Sequence, residues 1–168
     1  MGFRGGPTQR RVMTQFGTSG IRGPVGEAVT AELALSVGRA LGIDCERVVV
    51  GRDPRASGEY LQAALAAGLR ESGVDVVDLG GAATPTIGRA VSWRDADAGV
   101  AVTASHNPPA DNGIKLWQPS GQAFDADLRA TIEQRLGENA FQPAAWDESG
   151  GLASRDASQR HVDALVSE

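Results

Sequence analysis

From Thr30 to Leu41, apolar residues recur four apart, at Leu33, Val37 and Leu41. That spacing puts them on one face of a helix, with Thr30 suited to cap its start and Gly42 to stop it. The next run, Arg47-Val48-Val49-Val50-Gly51, is too short and too β-branched for a helix, so it predicts a buried strand. A turn at Asp53-Pro54 follows. Leu61, Leu65 and Leu69 then repeat the helical stripe between Ser57, a candidate cap, and Gly73. Val74 to Leu79 predicts a second strand. Thr84-Pro85 predicts a capped helix running to about Trp93. Gly99 to Thr103 and Gly113 to Gln118 predict two more strands around a polar loop, and Asp125 caps a last helix bearing Leu128, Ile132 and Leu136.

Helix and strand thus alternate through the middle of the chain. The expected class is α/β, a three-layer α/β/α arrangement with a mixed, largely parallel four-stranded sheet. Residues 1–13 lack periodicity and read as a flexible tail, with Met13 an alternative start. Residues 14–140 carry the pattern. It fades over 141–168, where Pro143, Gly150 and Gly151 suggest a linker, and residues 160–168 suggest the first turns of a following domain.

The 168 residues suffice for one ordinary domain with a real core. A net charge of −5 argues against nucleic acid or an anionic membrane as partner. No apolar run approaches the roughly 20 residues that span a bilayer. A single cysteine, Cys45, rules out an intrachain disulfide, and a cytoplasmic location is the expectation. Of 16 basic residues only Lys115 is lysine, which marks it for attention.

The chemistry concentrates in Thr103-Ala104-Ser105-His106-Asn107-Pro108-Pro109-Ala110-Asp111-Asn112-Gly113-Ile114-Lys115. This stretch follows a hydrophobic strand, the end of an α/β sheet where ligands bind. Two prolines stiffen it and remove two N–H donors. Such a loop can hold the Ser105 hydroxyl out at the sheet's end. From residue types alone it is equally a polar turn; a Ser-His hydrolase pair is disfavoured, because no G-x-S-x-G elbow is present.

The same stretch resembles the active-serine loop of the α-D-phosphohexomutases. Phe16-Gly17-Thr18-Ser19-Gly20-Ile21-Arg22-Gly23 resembles that family's N-terminal signature, and Val50-Gly51-Arg52-Asp53-Pro54-Arg55 a third element of the same domain. The three occur in the family's order, and the similarity covers residues 14–140. The resemblance implies that Ser105 is a phosphoserine that passes its phosphoryl group to a hexose phosphate and recovers one from the other end of the sugar. Phosphate would thereby move between positions 1 and 6 through a hexose 1,6-bisphosphate. It further implies Arg22 and Lys115 as cationic contacts, His106 as an acid/base or hydroxyl-positioning group, Thr18 as a lining residue, and the Ser105 phosphate as one Mg²⁺ ligand. A phosphoserine carries up to two negative charges and needs cations near it. An imidazole exchanges protons near neutral pH.

Other residues carry blander expectations. Arg52 and Arg55 should brace the turn after their own strand, and Asp53 and Asp111 should be turn residues. His161 should be exposed, and Trp93, Trp117 and Trp146 should pack. The resemblance also implies what is missing. Family members have four domains, and the aspartate-rich Mg²⁺ loop of the second has no counterpart, since Asp-x-Asp-x-Asp does not occur. One phosphoserine oxygen holds Mg²⁺ poorly without carboxylates. The isolated chain is therefore expected to turn over little or not at all. The alternatives are a non-catalytic module that binds phosphosugar or a partner, a half-enzyme completed by a complementing chain or homo-oligomer, and a phosphate-accepting regulatory domain. Pro108-Pro109 leans slightly towards a glucose or mannose substrate.

Overall fold

The computed structural model describes residues 16–17 and 19–167. The expected tail at 1–13 and the Thr18 site lie outside the described residues. In chain order the elements are β1 (Ile21–Pro24), α1 (Ala31–Leu41), β2 (Arg47–Arg52), α2 (Gly58–Glu71), β3 (Asp75–Gly81) and α3 (Thr84–Trp93). Then come β4 (Ala98–Val102), β5 (Asp111–Trp117), α4 (Ala126–Glu138), β6 (Leu152–Ser154) and α5 (Ser158–Ser167).

The strands form one mixed sheet in the order β1-β5-β4-β2-β3-β6. β1, β5 and β4 pair antiparallel, while β4, β2, β3 and β6 run parallel. The α/β class holds, with six strands in place of the expected four. The two additions are the edge strands. β1 has four residues and β6 three, too few for a period-two pattern to stand out. β1 also contains Pro24, which an edge tolerates and a central strand does not.

Two cores flank the sheet. Val48, Val50, Val76, Val100, Val102, Ile114 and Leu116 face α1, α2 and α4 through Val37, Leu41, Leu61, Leu65, Leu69 and Ile132. The opposite face puts Val49, Val77 and Ala101 against Ile87, Ala90 and Val91 of α3, with Trp93 and Trp117 at its margin. The two stripes predicted from spacing thus cover one face. Leu61, Leu65 and Leu69 are fully buried, which stabilises the fold by about 2 kcal/mol each.

The chain passes from β2 through α2 to β3, then back through α3 past β2 to β4. Right-handed crossovers running in opposite directions put their helices on opposite faces. The loops after β2 and β4 therefore diverge at the sheet's carboxyl edge, the place where such folds open a crevice.

Several local expectations are corrected. Thr30 and Asp125 cap as predicted, donated to by the Leu33 and Leu128 N–H groups. Ser57 stands at the cap of α2 but makes no capping bond; its hydroxyl instead accepts from Asn112 Nδ2 at 2.8 Å. Ala83 holds the cap position of α3, and Thr84 is already in its first turn. Trp146 does not pack and is 94% exposed. His161 is half-buried with its ring edge-on to Trp93, the centroids 6.2 Å apart.

Candidate active site

A cleft of about 880 Å³ opens at the carboxyl ends of β2 and β4. Its walls are the turn Arg52–Arg55, the start of α3 around Thr84, and the loop from Thr103 to Pro109 that joins β4 to β5. Ser105 and His106 both line it and both are exposed. The Ser105 Oγ lies 3.5 Å from His106 Nδ1, at the outer limit of a hydrogen bond.

Ser105 has φ = 56°, in the left-handed region. Among the described residues Asp95 and Asn139 share that feature, but both sit at helix ends, where it is common. A serine there, away from any helix end, costs about 1 kcal/mol and must be held by its surroundings. The backbone N–H of Ser105 donates to Thr103 Oγ1 at 3.0 Å, and that hydroxyl donates to Asp53 Oδ2 at 2.7 Å. The Ser105 carbonyl accepts from Arg55 Nη2 at 3.0 Å.

Arg55 does more than brace its own turn, which corrects the expectation from sequence. Its Nη2 also donates to the Asn107 carbonyl at 2.8 Å. Its Nη1 donates to the carbonyls of Pro108 and Asp111 at 2.6 and 2.9 Å. Its Nε donates to Asp53 Oδ2 at 3.1 Å. Asp53, expected as a turn residue, does accept the Arg55 N–H, but it also ties β2's turn to Thr103. Asp111 accepts from Asn107 Nδ2 at 2.9 Å. Arg52 also lines the cleft, and its guanidinium has no hydrogen-bond or ion-pair partner among the described residues.

The predicted cations meet each other beside this loop. Arg22 of β1 stands opposite Gly113 of β5, and Lys115 is two residues further along β5. Gly113 makes the meeting possible: a Cβ there would lie 2.5 Å from the Ile21 carbonyl oxygen, 2.6 Å from that of Thr103 and 2.8 Å from Arg22 Cγ. Gly20, with φ = 85°, allows an equally close approach, since a Cβ there would run into the Ile114 carbonyl oxygen. Burial, and then the charge of Arg22, push the Lys115 pKa below its ordinary value. Lys115 Nζ rests 4.2 Å from the centroid of Trp117, a cation–π contact. Arg22 Nε is buried with no hydrogen-bond partner, and neither cation pairs with a carboxylate among the described residues. Two adjacent cations without a counter-ion, one with a frustrated donor, make a receptive place for an anion. They flank the base of the serine loop, since the Thr103 N–H donates to the Gly113 carbonyl at 2.9 Å, but they are not among the cleft's lining residues.

Mg²⁺ fits less well. Among the described residues no group of three or more His, Cys, Asp or Glu is placed to hold a metal. Asp53 and Asp111, the carboxylates nearest in the loop network, are engaged by Thr103, Arg55 and Asn107. The described residues therefore do not form a magnesium site by themselves.

The family model described as "Phosphoglucomutase/phosphomannomutase, alpha/beta/alpha domain I" matches residues 13–143. A "Probable phosphoglucosamine mutase" of Pyrococcus abyssi is 47% identical over 155 residues, 91% of this chain and 34% of the relative. One of the same description from Thermococcus gammatolerans is 49% identical over 149 residues, 88% of this chain and 33% of the relative. A crystal structure of a phosphoglucomutase/phosphomannomutase family protein from Burkholderia thailandensis superposes with a TM-score of 0.80 at 34% identity, over 93% of this chain and 36% of that one. The chain thus spans about a third of the length of these relatives. It belongs to the α-D-phosphohexomutase family and carries that family's α/β/α domain I.

Proposed function

We propose that this chain supplies the phosphoserine of a hexose phosphate mutase, with Ser105 as the residue that gives and takes the phosphoryl group. The observation that supports this most is an exposed serine hydroxyl held at a positive φ in a cleft, with two cations at the base of its loop that have no carboxylate partner among the described residues. In the forward step the Ser105 Oγ–P bond breaks and a P–O bond forms to a sugar hydroxyl, whose proton leaves to a base. In the return step the phosphoryl group at the sugar's other end passes to Ser105 Oγ. The net result is exchange between positions 1 and 6 through a hexose 1,6-bisphosphate.

Phosphoryl transfer is mostly positioning and charge stabilisation. Arg22 and Lys115 are suited to the charge, and His106, beside the hydroxyl, to the proton or to orienting Oγ. Thr18 belongs to the same reading as a lining residue. Mg²⁺ would add charge neutralisation; this chain would offer it the Ser105 phosphate, and the carboxylates it needs would have to come from outside the described residues. Domain limits of 1–13, 14–140 and 141–168, and a cytoplasmic setting, form part of the proposal. Among the described residues no helix is long and apolar enough to cross a membrane.

The similarity to probable phosphoglucosamine mutases favours a glucosamine phosphate as the hexose, against the slight lean of Pro108-Pro109. Val162, Leu165 and Val166 of α5 are 50%, 55% and 83% exposed, an apolar strip that favours association with further protein, a complementing chain included. Intact-mass measurement after incubation with glucosamine 1,6-bisphosphate tests the assignment. One added phosphoryl group mapping to Ser105, and absent in Ser105→Ala, supports it; incorporation at another residue, or none, counts against it. In a coupled mutase assay the 168-residue chain alone should show little or no turnover.

A further inference from the structure

We propose that Arg55 is the positioning residue of the serine loop: held by Asp53, its guanidinium draws the loop's carbonyls inward and thereby fixes Ser105 in its left-handed conformation. The proposal rests on the reading of Ser105 as phosphoryl carrier, and its geometry stands apart from that reading. A guanidinium has five N–H donors. All five of Arg55 are engaged: Nε with Asp53, Nη1 with the carbonyls of Pro108 and Asp111, Nη2 with those of Ser105 and Asn107. No donor is left for a phosphate, so Arg55 acts on the loop and not on the substrate. Arg52, on the same turn, has no guanidinium partner among the described residues and is the contrasting case.

Both ends of the Ser105 backbone lead back to one carboxylate oxygen. Its carbonyl is held by Arg55, whose Nε donates to Asp53 Oδ2. Its N–H is held by Thr103 Oγ1, whose proton goes to the same Oδ2. A φ of 56° is what results when both ends are pinned. There is also a consequence for the next residue. The chain has no cis peptide among its described residues, so the His106 N–H points opposite to the Ser105 carbonyl. Drawing that carbonyl towards Arg55 turns the His106 N–H outward, and it has no backbone acceptor among the described residues. The clamp thus presents two groups together, the hydroxyl that carries the phosphoryl and a backbone donor suited to one of its oxygens. A lysine cannot substitute, because three donors on one atom cannot reach four carbonyls spread along a loop.

The test uses the purified full chain, labelled with ¹³C and ¹⁵N. In Arg55→Lys and Arg55→Met, core methyl signals should stay in place while the Ser105 Cα and Cβ and the His106 amide leave their wild-type positions. Titration with inorganic phosphate should move the His106 amide in the wild type and not in Arg55→Lys. Ser105→Gly, which relieves the positive φ, should raise Tm by about 2–4 °C in the wild-type background and by less than half of that beside Arg55→Met. Unchanged Ser105 signals in the Arg55 variants would overturn the proposal. So would equal Ser105→Gly shifts in both backgrounds. Should Arg55→Met not fold, Arg55→Lys replaces it in the Tm comparison. If these signals respond as expected while the wild-type serine never accepts a phosphoryl group, the clamp stands and the mutase reading falls.

Discussion

The serine loop and the strand pair beside it are built on opposite terms. In the loop nearly every group that Arg55, Asp53 and Thr103 can satisfy is satisfied, through a set of bonds of 2.6 to 3.1 Å. Next to it, Arg22 and Lys115 lie close together with no carboxylate partner among the described residues, and the buried Arg22 Nε has no hydrogen-bond partner there. One region satisfies its polar groups internally; the other is left electrostatically open among the described residues. Under the proposed mutase reading, the difference fits a division of labour in which the Ser105 hydroxyl is fixed beforehand and the charge beside it is completed by substrate.

The sharpest break in that contrast is Arg55→Met. It removes five donors at once and leaves Asp53 without its cation, so we expect a loss of roughly 3 kcal/mol in urea unfolding. Gly113→Ala attacks the joint between the regions. A new Cβ at 2.5–2.8 Å from two carbonyl oxygens and Arg22 Cγ should cost about 1–3 kcal/mol, read as a lower Tm, and should disturb both regions at once. Arg22→Met should leave stability within about 0.5 kcal/mol, because it removes a repulsion along with a charge. Its effect should be on binding and titration. Affinity for a hexose phosphate should fall roughly tenfold, about 1.4 kcal/mol. The Lys115 pKa should rise, since the Arg22 charge that disfavours the ammonium is gone. That rise is readable without overlap in a ¹³Cε spectrum of a protein with one lysine. Smallest is Trp117→Leu: losing the cation–π contact should cost about 0.5–1 kcal/mol by double-mutant cycle with Lys115→Met. If Arg22→Met destabilised the fold as much as Arg55→Met, the contrast between the two regions would not hold.

Much of this was readable from the residues. The spacing of Leu33, Val37 and Leu41, and of Leu61, Leu65 and Leu69, places two helices on one face because burial enforces the periodicity. The motif around Ser105 pointed to a loop that does line the candidate cleft, while the lone Lys115 lies beside that loop and not in the cleft lining. What the sequence hid was long-range. Arg55 bonds to carbonyls 50 to 56 residues away, and main-chain acceptors leave no trace in side-chain identity. Ser57 has the right residue type for a cap, but a buried Asn112 with a donor to place outcompetes the helix end. β6 is fixed by pairing with β3 over three residues, a register no local pattern announces. Trp146 shows the converse error, since an aromatic in a polar stretch need not find a core.

The solitary lysine gives the molecule an unusual chemical address. A suppressed ammonium offers more free amine near neutral pH than an ordinary surface lysine would, and no second lysine competes with it. An acylating reagent used sparingly should therefore tag position 115 ahead of any other side chain, with the chain's α-amino group as the competing amine, so the site of labelling is read by peptide mapping. A bound sugar phosphate, by restoring that proton, should shield it, so labelling speed becomes a direct gauge of occupancy.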